Sequence, residues 1–193
     1  MRIPQAHDIA EMWNVLDLRP VPEHLPAGEP LLDALRTTRL NGGALYACVH
    51  YAAHPVLDYF IQNRHLTGTP FDLLTGVLTH PALRLALPQL DRPLALPAPL
   101  PTQVLDVFDL EAGIARAVFR GGAYRDFDGS LRQAKSLAGH FVDAVQGDRR
   151  HHWFAHSSQA WSPWFQEACW DDTWVGLDGF KRRLWVLCTT DTD

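Results

Sequence analysis

Two apolar stretches near the end of the chain, TWVGLD (residues 173–178) and RRLWVLCTT (182–190), leave few options for folding. Both are rich in β-branched and aromatic residues, and they flank Asp178-Gly179, a strong hairpin signal. In an antiparallel pair the numbers of facing residues sum to a constant, so placing Leu177 opposite Leu184 sets every other pair. Val175 then faces Val186 and Thr173 faces Cys188, while on the other side Trp174 faces Leu187 and Gly176 faces Trp185. The last pair is chemically sensible, because glycine has no side chain to obstruct the indole that covers it. RLWVLC is apolar on both faces, which predicts an interior strand rather than an open edge.

The same register brings Asp171 and Asp172, where the first strand begins, to the end of the hairpin that Asp191 and Asp193 leave. With Trp170 and Trp174 beneath, the expected product is an aromatic base with an acidic edge. Six of the seven tryptophans lie between Trp153 and Trp185. Core packing accounts for most of them, although tryptophan also anchors interfaces.

Upstream, helical periodicity dominates. Ala6 to Leu16 reads as a short amphipathic helix, and the proline-rich RPVPEHLPAGEP (19–30) follows it. LLDALRTTRL, GALYACVHYAAH, VLDYFIQN and FDLLTGVL, punctuated by Gly42-Gly43, Pro55 and the 68–70 turn, predict a bundle of short helices within residues 1–87. A second proline-rich stretch, PQLDRPLALPAPLP (88–101), lacks the amide hydrogens a helix needs. Its Leu90, Leu94, Leu96 and Leu100 suit a strap laid against a core.

Residues 102–193 form the α+β part. VFDLEAGIARAVF predicts a helix capped by Asp109 and stopped at Gly121-Gly122. A longer helix, capped by Asp128 or Ser130, carries Ala134, Ala138, Phe141 and Val142 on one stripe as far as Gly147. HHWFAHSS alternates like a strand, and Ser162-Pro163 predicts one more short helix with Trp161, Trp164, Phe165, Ala168 and Cys169 on one face. The fold class is α+β in one domain, 1–193: a bundle of short helices first, then a small antiparallel sheet made of the hairpin and one further strand, covered by helices.

Composition narrows the function. A formal charge of −5 and a pI near 6.0 argue against nucleic acid, whose binding draws on clustered Lys and Arg. The stretch Asn41 to Leu57, free of Asp, Glu, Lys and Arg, holds two histidines and a proline and is too polar to span a bilayer. Three cysteines without a CxxC pair, and an N-terminus broken by Pro4, His7 and Asp8, point to a reducing cytoplasm. Fifteen arginines against two lysines fit the codon usage of a GC-rich bacterial genome.

Catalytic motifs are thin. His50 and His54 have the spacing of one helix face, but no HExxH pattern accompanies them. His151, His152 and His156 sit on or beside a strand, and a zinc site there lacks a visible third and fourth ligand. Cys48, Cys169 and Cys188 read as small hydrophobes, and the polar loop Tyr124, Arg125, Asp126 and Asp128 as ordinary loop chemistry. No motif asks for a cofactor or a metal. The leading expectation is a small acidic cytoplasmic protein that binds a basic protein partner, of inhibitor or immunity type, through Asp171, Asp172, Asp191, Asp193, Trp170 and Trp174. The alternative is a small hydrolase or transferase with a His/Asp pocket, metal-assisted by Asp171, Asp172 and Asp191.

Overall fold

The computed structural model describes residues 2–21, 25–63, 73–90, 100–146 and 152–193. The middle of the strap with Leu94 and Leu96, the pair Arg149-Arg150, Gly147 and His151 lie outside the described residues. Along the chain run α1 (Ala6–Val15), β1 (Leu18–Pro20), α2 (Glu29–Thr38), β2 (Gly43–Tyr51), α3 (Pro55–Gln62), α4 (Leu73–Thr79) and α5 (Pro81–Ala86). Then come β3 (Gln103–Leu105), α6 (Val107–Arg120), α7 (Leu131–Gln146), β4 (His152–Ser157), β5 (Asp172–Asp178) and β6 (Arg183–Thr190). The fold is α+β, and all six strands join one antiparallel sheet in the order β1-β2-β6-β5-β4-β3.

The hairpin has the register its sequence predicts, with Leu177 opposite Leu184, Val175 opposite Val186 and Gly176 opposite Trp185. β6 lies in the interior, between β2 and β5. Alternation along the strands sends Val49, Val175, Leu177, Leu184 and Val186 to one face, where they pack with residues of α1, α3, α4 and α5. Ala44, Phe154, Trp174, Trp185 and Leu187 go to the other, under α2, α6 and α7. A slip of one residue would exchange these sets, so burial on both faces holds the register firmly.

Two segments depart from the sequence reading. Residues 43–51 form β2, not a helix, and with the short β1 and β3 they make the sheet larger than the hairpin and one strand. Because β2 is covered on both faces, its run GALYACV carries no polar–apolar alternation, and periodicity alone does not separate such a strand from a buried helix. The stretch after Ser162-Pro163 forms successive turns instead of a helix. The Ser162 hydroxyl accepts from the Trp164 amide, Glu167 takes a positive φ of 56°, and the Ala168 amide donates to the Asp171 carboxylate at 3.1 Å. Trp161 and Phe165 still bury their rings, but Cys169 is exposed.

The helix starts are local chemistry. Asp106, not Asp109, caps α6: its carboxylate accepts from the Asp109 amide at 2.7 Å. Ser130 caps α7, its hydroxyl accepting from the Gln133 amide while the Gln133 side chain accepts from the Ser130 amide. α3 and α5 each begin with His-Pro, where the His54 and His80 Nδ1 atoms accept from Val56 and Ala82 amides at 3.3 and 3.1 Å. His54 is thus a cap, and His50 stands on β2 opposite Arg183, so the two do not share a helix face.

The contact between Gly176 and Trp185 is testable. A Cβ on Gly176 would stand 2.2 Å from Trp185 Cε2, so Gly176→Ala should cost about 1–3 kcal/mol in urea denaturation. At Gly139 of α7 the nearest atom to an added Cβ is 3.6 Å away, and Gly139→Ala should stabilise by about 0.5–1 kcal/mol in the same assay.

Candidate functional site

The four aspartates expected at the acidic edge reach one end of the hairpin, but their side chains divide. Asp171 turns toward the segment that precedes β5, where it accepts from the Thr190 hydroxyl at 2.5 Å and from the Ala168 amide. Asp191 turns to the α2 and α6 side, accepting from the Asn41 amide at 2.9 Å and the Ala123 amide at 2.7 Å. It thereby ties the chain after α2 and the chain after α6 to the end of β6. Of the six residues expected to form a recognition surface, Asp193 is exposed and Trp170 half-buried. Asp171, Asp172, Asp191 and Trp174 are buried.

Asp172 does something different. One of its oxygens accepts from His156 Nε2 at 2.8 Å, and the other from Arg120 Nη2 at 2.9 Å. A carboxylate only accepts, so this bond places the imidazole proton on Nε2. His156 Nδ1 is left without a hydrogen-bond partner among the described residues. β4 and β5 hold the pair in register: His156 lies directly opposite Trp174, and the two ring centroids are 5.2 Å apart.

These residues line a groove of about 330 Å³ between α6 and the β3–β4–β5 side of the sheet. One wall is a stripe of α6 at helical spacing: Asp109, Ala112, Gly113, Arg116 and Arg120. Gln103 and Leu105 of β3 bound it opposite, and Trp174 contributes its indole. The apolar stripe of the same helix, with Leu110, Ile114 and Val118, packs into the core, which fixes the rotation of α6 and turns the polar stripe toward the groove.

Behind Ala117 lies Arg39, 1% exposed. Its guanidinium donates to the Ala117 carbonyl at 3.0 Å and to the Thr38 hydroxyl at 3.3 Å, and its Nε has no partner among the described residues. Burial, followed by repulsion from Arg120, brings its pKa down to about 10, against the attraction of Asp172 and Asp191; the group is still cationic at neutral pH. The groove region therefore holds three guanidiniums, Arg39, Arg116 and Arg120, and three carboxylates, Asp109, Asp172 and Asp191.

The sequence draws attention to Asp172 but not to its partners. Nothing in the sequence singles out Arg39, and Arg116 and Arg120 read as the solvated side of an amphipathic helix. The available signal was the spacing of Asp109, Arg116 and Arg120 along α6, joined with the placing of His156 on a strand beside the hairpin. Among the described residues no three His, Cys, Asp or Glu side chains converge in a way that would hold a metal ion. Asp171, Asp172 and Asp191, considered as a ligand set, each serve different internal donors. In the polar loop after α6, Tyr124 is exposed and Arg125 donates to the Thr37 carbonyl. No helix among the described residues is long and apolar enough to cross a membrane. Comparison with protein-family models, curated proteins and solved structures finds no match.

The structural role of Asp191 has a direct consequence. Asp191→Ala leaves two amides without their acceptor and should cost about 2–3 kcal/mol in urea denaturation. Asp193→Asn, at the exposed position, should change stability by less than about 0.5 kcal/mol.

Proposed function

We propose that the groove beside α6 is a small-molecule site at which His156 moves a proton, the chemistry of a small hydrolase or transferase. One observation carries this reading: Asp172, itself held by Arg120, binds the His156 Nε2–H and leaves Nδ1 as a free acceptor in a groove. A nucleophile, whether water or a substrate hydroxyl, would give its proton to Nδ1 as its oxygen attacks. The resulting imidazolium is stabilised by Asp172, and the same proton then passes to the leaving group. Asp172 orients the ring and sets its tautomer without taking the proton itself. A cavity of about 330 Å³ stands at the lower end of the range for small-ligand sites, which favours a compact substrate.

Turnover of a panel of chromogenic carboxylic and phosphoric esters tests this. The expected result is activity toward one class that falls by about 10²–10⁴ in kcat/KM on His156→Gln, with an unchanged melting temperature. Equal turnover by that variant would remove His156 from the chemistry.

We also carry the reading of a macromolecular partner, supported by Trp170. Its ring is half-buried, its indole N–H has no acceptor among the described residues, and it stands next to the exposed Cys169. In this reading a basic protein partner docks beside Trp170 and Asp193, as for an inhibitor of the immunity type in a bacterial cytoplasm, a compartment that three cysteines outside any disulfide suit. Loss of co-purifying protein in a Trp170→Ser, Asp193→Lys double variant is the expected result. Retention of the same partner would rule the surface out.

A further inference from the structure

We infer that the groove takes an oxyanion, the carboxylate or phosphate group of a small molecule, held by Arg116 and the indole N–H of Trp174. This rests on the reading of the groove as a ligand site and specifies what it binds.

The inference starts from donors that have nothing to donate to. Arg120 is engaged by Asp172, and Arg39 by Ala117 and Thr38. Arg116, one turn before Arg120 on the same stripe, makes no hydrogen bond or ion pair among the described residues, although Asp109 lines the same groove. An unpaired arginine on an open surface would mean little. Here a second, independent donor faces the same space. Trp174 is 2% exposed, its Nε1 lies 3.5 Å from where a Cβ on Gly113 would stand, and that N–H has no partner among the described residues. The ring is buried but Trp174 lines the groove, so its N–H can donate to whatever occupies that space.

Gly113 supports the same conclusion. A glycine inside a helix costs stability relative to alanine, and an alanine Cβ would fit at ordinary contact distance from Trp174 Nε1. Neither a steric clash nor an unusual φ demands glycine at this position. What it preserves is open space in front of the indole N–H.

The charges agree. Arg39, attracted by Asp172 and Asp191, adds its buried charge behind Ala117, and Arg116 is the lining guanidinium that no carboxylate engages among the described residues. Guanidinium matches the paired oxygens of carboxylate and phosphate, and an indole N–H donates to a third. Trp174 lies against His156, so an anion bound there puts the adjoining atoms of the same molecule beside the imidazole.

The test observes Trp174 itself. In protein labelled with ¹⁵N-tryptophan, with the Trp174 indole signal assigned through Trp174→Phe, separate titrations use sodium phosphate, sodium acetate and the neutral acetamide at constant ionic strength. Phosphate or acetate should shift the Trp174 signal to saturation, and acetamide should not. Arg116→Gln should weaken the effective anion about tenfold or more. Whichever anion saturates at the lower concentration identifies phosphate or carboxylate as the group. A response to acetamide equal to that to acetate, or unweakened binding by Arg116→Gln, overturns the anion assignment and leaves the groove as a site for a neutral ligand. No shift with any of the three probes overturns the anion assignment and the small-molecule reading together.

Discussion

Gly176 lies beneath Trp185, and with this contact the pairing of β5 and β6 is held in one register. The indole occupies the space a Cβ would need, and the strands on either side, β4 and β2, take their own registers from this pair. His156 and Asp172 are two residues from Phe154 and Trp174 on the same face, so their position follows from that register. Shifted by one, the imidazole and carboxylate would point into the opposite core, where Val175 and Leu177 now pack. The groove is therefore a consequence of the central packing of the sheet rather than of a flexible loop.

Asp172 then links the sheet to α6. Its carboxylate is shared between a strand histidine and a helix arginine, so the groove's floor and wall meet at one side chain. The other acids of the hairpin end have a different purpose. Asp171 and Asp191 each give both oxygens to internal donors, and between them they secure the segment before β5 and the loops after α2 and α6. Asp171 and Asp172 thus differ in role because successive residues at the start of β5 turn to opposite faces of the sheet.

Where the chain's local pattern is strong, the sequence reading and the structure agree: the hairpin, the interior place of β6, the helices α1, α2, α6 and α7, and the glycine stop at Gly121. Where burial on both faces erases alternation, as in β2, the strand reads as a helix. The turns from Ser162 to Asp171 depend on the Asp171 carboxylate capturing the Ala168 amide, a contact no local propensity encodes. The convergence of acids at one end of the hairpin was legible from register arithmetic. Their burial was not, because it depends on α2, α6 and the loops behind them. The groove was hidden for the same reason: its residues come from β3, α6, β4 and β5, which only the packing of α6 on the sheet brings together.

The most direct test of the His156–Asp172 arrangement is the tautomer of His156, read from the ¹⁵N shifts of its two ring nitrogens and their couplings to the ring protons. The account predicts that the neutral ring holds its proton on Nε2, with Nδ1 at the shift of an unprotonated, pyridine-like nitrogen. A proton on Nδ1, or the averaged shifts of a ring exchanging freely between tautomers, would contradict it.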